Sequence, residues 1–256
     1  PVLSAILKDP TTRALYLFPT KALAQDQLDE LHGLVTDLQA DIRTFTYDGD
    51  TPADARRAVR QAGHIVLTNP DMLHTAILPH HTKWMQLFES LQYVVIDEVH
   101  SYRGVFGSHL ANVLRRLRRI CQFYGADPTF ILCSATIANP GELATALVGD
   151  DVELIDDNGA PSGERVVVIH NPPVVNRELG IRQSSLKAAR DISAELIRSG
   201  IQTIVFAPSR TRVELLLTYL RDSLRNKPGD PERVTGYRGG YLPNERRAVE
   251  KGLRDG

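Results

Sequence analysis

Short apolar runs alternate with longer stretches of helical periodicity over the first half of the chain and somewhat beyond. The runs Ala14–Phe18, Ile42–Thr46, Ile65–Thr68, Tyr93–Ile96 and Thr129–Cys133 have the length of strands and are mostly apolar. Strands that are apolar on both sides belong in a sheet covered on both faces. Between them, Ala22–Leu38, Pro52–Ala62, Pro70–Ile77 and Ser108–Phe123 carry the spacing of helices. The alternation predicts an α/β fold with a parallel sheet and right-handed crossovers. The last helix has the clearest pattern. Leu110, Val113, Leu114, Leu117 and Cys121 make one apolar stripe, and Arg115, Arg116, Arg118 and Arg119 are expected to face away as a solvated surface.

From Asp150 to Pro173 the texture turns to Asp, Asn, Gly and Pro, and the stretch Asp156 to Gly163 is the best candidate for a connector. The pattern then resumes, with strands expected at Arg165–Ile169 and Thr203–Ala207 and helices at Gln183–Ser199 and Arg210–Leu224. The organisation expected is a first domain over 1–157, a linker over 158–163 and the beginning of a second α/β domain over 164–256. The chain opens inside an apolar pattern (Val2, Leu3, Ile6, Leu7) and stops just after a helical one, so it is expected to be a piece of a longer protein.

Composition narrows the class. With 42% hydrophobic and 24% charged residues the chain is ordinary globular material. No apolar run approaches membrane-spanning length and no basic-then-apolar leader is present, which predicts a cytoplasmic protein with no membrane partner. The two cysteines, Cys121 and Cys133, both follow apolar residues and are expected as reduced core residues. The formal net charge of −1 hides an asymmetry. Residues 1–163 carry 13 Lys and Arg against 20 Asp and Glu, and residues 164–256 carry 17 against 11. A basic second half suits a phosphate backbone, although solvated faces give similar counts. His80 and His81 fall in a polar stretch without metal-ligand spacing and are expected as surface loop residues.

The chemistry concentrates at Tyr93-Val94-Val95-Ile96-Asp97-Glu98-Val99-His100. A buried strand ends in two adjacent carboxylates, at the edge of a parallel sheet where ligands bind. Two acids there are costly to desolvate unless a cation or water shares them. A magnesium–nucleotide complex supplies the cation: Asp97 would hold Mg²⁺ through water, and Glu98 would orient and deprotonate the water that attacks the γ-phosphate. The neighbouring strand ends in Ser134-Ala135-Thr136, whose hydroxyls could bond the carboxylates and His100 and so couple to the nucleotide. Thr20 and Asn69 each precede a helix, where free N–H groups meet either a capping side chain or a phosphate. Lys21 adds positive charge at the first of these, and Thr68 and Pro70 flank the second.

In combination these segments resemble a superfamily 2 helicase core. Phe18-Pro19-Thr20-Lys21-Ala22-Leu23-Ala24-Gln25-Asp26-Gln27 resembles motif Ia, Tyr47-Asp48-Gly49-Asp50 motif Ib, and Thr68-Asn69-Pro70-Asp71-Met72-Leu73-His74 motif Ic. Asp97 to His100 is similar to motif II of DEVH type and Ser134 to Thr136 to motif III. Val205-Phe206-Ala207-Pro208-Ser209-Arg210 resembles motif IV, and the segment from Tyr237 to Arg247 resembles the stretch beyond it. The set is most similar to the DEVH-box DNA-repair helicases of the MrfA/YprA type, related to the Lhr type.

That resemblance implies tandem RecA-like domains, the second truncated. It implies ATP and Mg²⁺ as cofactors and a 3′ to 5′ motor on single-stranded or partly duplex DNA. By position it implies catalytic roles for Asp97, Glu98 and His100 and coupling roles for Ser134, Ala135 and Thr136. It implies nucleic-acid contacts at Thr20, Lys21, Asp48, Gly49, Thr68, Asn69, Pro70, Ser209 and Arg210. Arg238, Arg246 and Arg247 would support the second domain or touch nucleic acid.

Two departures qualify the resemblance. No G-x-x-x-x-G-K-[ST] loop occurs, so the phosphate cradle is expected upstream of Pro1 and motifs V and VI beyond Gly256, leaving this stretch alone without turnover. Asp50 stands where motif Ib more commonly has a second Gly. An RNA substrate, as in DEAD-box relatives, and a module that binds nucleic acid without hydrolysis remain the alternatives.

Overall fold

The computed structural model describes residues 1–157, 159–161, 163–225 and 233–255. Asn158 and Ser162 of the expected linker, and the side chains of Arg246 and Arg247, lie outside the described residues. The chain folds as two units, Pro1–Ala160 and Pro161–Gly256.

The first unit is built on five parallel strands: β1 (Arg13–Leu17), β2 (Thr44–Thr46), β3 (Ile65–Thr68), β4 (Leu91–Ile96) and β5 (Thr129–Leu132). All five fall on the runs expected from the sequence. Their order in the sheet is β2-β3-β1-β4-β5. From β1 the chain goes to the edge strand β2, returns to insert β3 beside β1, and then crosses to the other side for β4 and β5. The crevice at the C-terminal ends of β1 and β4 is the switch point of the topology, where open parallel sheets bind ligands.

Side-chain alternation sends successive strand residues to two separate cores. Leu15, Leu17, Val66, Val94 and Ile96 point to one face, where α6 (Gly104–Phe123) lays down Leu110, Val113, Leu114, Leu117 and Cys121. Ala14, Phe18, Ile65, Leu67 and Val95 point to the other, covered by Val2 and Ile6 of α1 (Val2–Lys8) and Ala24, Leu28 and Leu31 of α2 (Lys21–Asp37). Each fully buried leucine or isoleucine contributes about 1.5–3 kcal/mol relative to exposure. α3 (Ala53–Ala62) adds Val59 to the first core, and α7 (Pro140–Val148) adds Leu147.

The expected helix at Pro70–Ile77 is present in an altered form. A single α turn, α4 (Pro70–Met72), loosens into a π turn over Leu73–Ile77 and tightens into a 3₁₀ segment over Leu78–Trp84 before α5 (Met85–Glu89). Leu73, Ile77, Leu78 and Trp84 are all buried. The irregular winding lets residues whose spacing fits no single period reach one core, which is why α periodicity missed it. His81 is consequently not a loop residue: its Nδ1 lies 2.9 Å from the Tyr124 hydroxyl, against the rings of Phe123 and Tyr124. His80 is exposed, as expected.

The arginines of α6 also depart from a uniform solvated face. Arg116 donates to the His74 carbonyl at 3.4 Å. Arg118 stacks over Phe130 at 4.9 Å from its centroid and pairs with Asp150. Arg115 and Arg119 are exposed.

The second unit has a short antiparallel pair, β6 (Val174–Asn176) and β7 (Ile181–Arg182), with α8 (Ser185–Arg198), α9 (Arg210–Leu224) and α10 (Pro243–Asp255). α8 and α9 pack through Ala194, Leu216 and Leu220. The strands expected at Arg165–Ile169 and Thr203–Ala207 are absent among the described residues. Val166 to Ile169 are 78–93% exposed and Phe206 is 91% exposed. A strand exists only through its ladder partner, and no described segment pairs with either run.

Two outcomes test this packing. A Cβ at Gly107 would stand 2.5 Å from the Tyr102 carbonyl oxygen, a backbone atom that cannot swing away. Gly107→Ala is therefore expected to lower stability by about 1–3 kcal/mol in urea titrations, the overpacking cost exceeding the gain in helix propensity. His64 holds β2 to β3 by accepting the Arg43 amide on Nδ1 at 3.0 Å. Its pKa lies below the ordinary 6.5, chiefly because burial disfavours the imidazolium, with Arg13 adding repulsion. The folded state thus binds fewer protons than the unfolded one. This contribution is present above pH 6.5 and is lost as the pH falls through the lowered value. His64→Asn, which keeps an acceptor but no titration, should flatten that part of the melting-temperature profile between pH 7.5 and 5.

Candidate functional site

The strands of the first unit continue their ladder one residue past their ends, which brings several loops to one level. The Phe18 amide donates to the Thr68 carbonyl, Tyr47 to Leu67, Asp97 to Leu17 and Cys133 to Ile96, all at 2.8–3.0 Å. Beyond this line the chain turns away into the segments that the sequence singled out.

At the end of β4 the backbone reverses sharply. Asp97 Oδ1 accepts the Glu98 amide at 2.8 Å, and Glu98 has φ 53° and ψ 42°, the left-handed region that a non-glycine residue rarely enters. Strain of about 1–3 kcal/mol is held there by the surrounding bonds: the Val99 amide donates to the Cys133 carbonyl and the Ser101 amide to the Glu98 carbonyl. The turn directs Glu98 Oε2 to within 3.0 Å of His100 Nε2. His100 Nδ1 in turn accepts the Ala135 amide at 3.2 Å. Since Nδ1 accepts, the ring proton sits on Nε2 and is donated to Glu98.

The expected hydroxyl link from Ser134 and Thr136 takes a different form. The link to His100 runs through the backbone of Ala135, while Ser134 Oγ donates to the Ala135 carbonyl. Cys133 is exposed at the end of β5, unlike buried Cys121, because it stands one residue past the sheet. Its thiol pKa is raised by partial burial and then by Asp97. Tyr102 carries no motif in the sequence. It is fully buried, and its phenol pKa is pushed upward by burial first and by the Asp97 and Glu98 carboxylates second. Its aromatic neighbour Phe106, one turn on in the sequence, was the available signal.

Whether the carboxylates fit a metal follows from their chemistry. The donors at this edge are hard carboxylate oxygens, and among the described residues no cluster of three metal-ligating side chains exists. One or two carboxylates with the remaining positions left to water and phosphate oxygens is the way Mg²⁺ is usually held. Asp97, with one oxygen committed to the Glu98 amide, fits that role.

The other predicted residues flank this centre. Thr20 caps α2 by accepting the Leu23 amide, and Asn69 caps α4 by accepting the Met72 amide at 2.9 Å. Thr68 is buried, and its hydroxyl donates to the Tyr47 carbonyl at 2.6 Å. Pro70 is buried at the first position of α4. Asp48 Oδ1 accepts the Asp50 amide, tightening the turn through Gly49. Lys21 does not stand free: its Nζ lies 2.7 Å from Asp50 Oδ2, and this bond holds the lysine pKa above its ordinary value. Asp50, the departure from the usual motif, thus ties the two loops together.

In the second unit Ser209 caps α9 by accepting the Arg212 amide, and the Arg210 guanidinium lies against Gly239. Nearby, Glu214 joins Arg238 and the Tyr241 hydroxyl, and its pKa is lowered by the Arg238 bond. Glu214 was missed because a lone acid within a helix carries no motif. No helix among the described residues is long and apolar enough to cross a membrane.

Comparison with known proteins gives the family. The chain is 59% identical over its whole length to the uncharacterized ATP-dependent helicase YprA of Bacillus subtilis, covering 34% of that protein. It is 37% identical to the ATP-dependent helicase hrq1 of Schizosaccharomyces pombe, again over its whole length and over 25% of that protein. The crystal structure of the DUF1998 helicase MrfA bound to DNA and AMPPNP superposes on all of it with a TM-score of 0.94 at 58% identity, matching 35% of that chain. The chain thus spans about a third or less of the relatives it matches. Residues 1–143 match the DEAD/DEAH box helicase model, and with its RecA-like parallel sheet and acidic edge the chain belongs to that family.

Proposed function

We propose that this chain is part of an ATP-driven motor that moves 3′ to 5′ on single-stranded or partly duplex DNA, acting in DNA repair in the cytoplasm. The carrying observation is the chain of contacts from Glu98 through His100 to the Ala135 amide. A neutral imidazole donating to one carboxylate oxygen fixes the orientation of Glu98 while leaving the other free to accept a proton from water. Bound Mg²⁺ would neutralise charge on the ATP phosphates. Asp97 would hold it through water, and Glu98 would position and deprotonate the attacking water.

In this reading residues 1–157 and 164–256 form two RecA-like halves joined by 158–163. Nucleic-acid contacts are assigned to Thr20, Lys21, Asp48, Gly49, Thr68, Asn69 and Pro70 in the first half and, separately, to Ser209 and Arg210 in the second. With Thr20, Asn69 and Ser209 committed to caps and Lys21 paired with Asp50, the contacts would come from backbone amides rather than free hydroxyls. Such contacts grip phosphate and read little sequence. DNA is preferred to RNA because MrfA, at 58% identity, was crystallised with DNA.

Glu98→Gln keeps an acceptor for His100 but loses the base. In the full-length protein it should reduce DNA-stimulated ATP hydrolysis by about 10²-fold or more, with nucleotide affinity largely retained. Wild-type turnover in that variant would overturn the reading, and parallel assays with matched DNA and RNA oligonucleotides identify the strand. Asp50→Asn removes the partner of Lys21. Its binding to single-stranded DNA should tighten, with a log-affinity against log-salt slope steeper by about 0.7, the share of one phosphate contact on a single strand.

A further inference from the structure

Away from the acidic edge, the first unit holds a second concavity, of about 280 Å³, between α3 and the 3₁₀ segment. Its floor is aromatic: the rings of Tyr47 and Trp84 meet edge to face at 4.7 Å, and both are buried. Its walls carry the cations Arg56 and Arg60 on one side and Lys83, beside His80, on the other.

These cations differ in what they do. Arg56 is committed: it donates to the carbonyls of Thr51, Asp48 and Gly49, and its guanidinium lies 5.3 Å from the centroid of the Tyr47 ring. It is the wall through which the concavity joins the Asp48–Gly49 turn. Arg60 stands one helical turn further along the same face and is half-buried. Neither Arg60 nor Lys83 makes a hydrogen bond or ion pair among the described residues. Like charges gathered in one concavity, with no carboxylate among its lining residues, repel one another until an anion enters. A guanidinium and an ammonium that line one concavity with an aromatic floor suit a phosphate group.

The position selects the source of that phosphate. Tyr47, which lines the concavity, also accepts the Thr68 hydroxyl, so the floor is bonded to the loop that opens α4. We propose that this concavity is a phosphodiester subsite, in which Arg60 and Lys83 hold a backbone phosphate of the nucleic acid running past Asp48, Gly49 and Thr68. The inference rests on the nucleic-acid contacts proposed above and extends them beyond those residues.

The test is fluorescence-anisotropy titration of a labelled single-stranded DNA against the full-length protein over a series of NaCl concentrations. Three variants are compared with wild type: Arg60→Gln/Lys83→Gln, Lys83→Gln alone and a control, Arg119→Gln, on α6. Loss of two phosphate contacts should reduce the slope of log affinity against log salt by about 1.4, and the exposed Lys83→Gln alone by about half of that. The control should stay near wild type, and ATP hydrolysis without DNA should be unchanged in all. Thermal melts establish that each variant folds, and Lys83→Gln alone carries the test if the double variant does not.

Wild-type slopes in the pocket variants would overturn the proposal. So would stabilisation of wild type by millimolar inorganic phosphate that the variants lose with no change in DNA slope, since the ligand would then be free phosphate. If wild type itself shows no salt-dependent DNA binding, the motor reading falls with it. Wild-type binding with unaltered variants removes this subsite alone.

Discussion

The parallel pairing of β4 between β1 and β5 is the constraint on which the site depends. Register places Leu17 beside Ile96 and Ile96 beside Leu132, so the three strands end on one line. Each loop then leaves at the same height: Pro19 to Lys21 from β1, Asp97 to His100 from β4, and Cys133 to Thr136 from β5. A slip of one residue in β4 would turn Val94 and Ile96 out of one core and Val95 out of the other. It would also carry Asp97 about 3.3 Å along the strand. The apolar alternation that fills two cores therefore also fixes where the carboxylates stand.

That dependence explains what the sequence makes legible. The first-unit strands and α2, α3 and α6 follow from period and length, because burial on a sheet imposes period on the chain. The two caps at Thr20 and Asn69 are local and readable. Three features were beyond reach for physical reasons. The π and 3₁₀ winding after Pro70 satisfies a core whose spacing suits neither helix nor strand. The Lys21–Asp50 pair joins residues far apart in sequence and depends on two turns meeting. The unpaired runs at Arg165–Ile169 and Thr203–Ala207 have strand composition without a ladder, and composition cannot supply a partner.

Side-chain chemistry at the edge was legible as residue types but not as bonds. Glu98, His100 and Ala135 are bonded in a row, and the contact between the two strand ends is an amide donating to an imidazole. An alanine holds that position without loss because the donor is its backbone. Such a bond follows the end of β5 directly, with no rotamer between them. Displacing that strand end by a fraction of an ångström would lengthen the Ala135–His100 bond and loosen His100 on Glu98.

Glu98 itself sits in a conformation that costs energy in isolation. The Val99–Cys133 bond ties the turn to the residue that follows β5, and the Ser101–Glu98 bond closes the turn on itself. A relaxed, right-handed Glu98 would aim its carboxylate elsewhere and separate it from His100. The strained residue is thus held by the sheet on one side and by a single imidazole on the other. The orientation of Glu98 therefore depends on where β4 and β5 end.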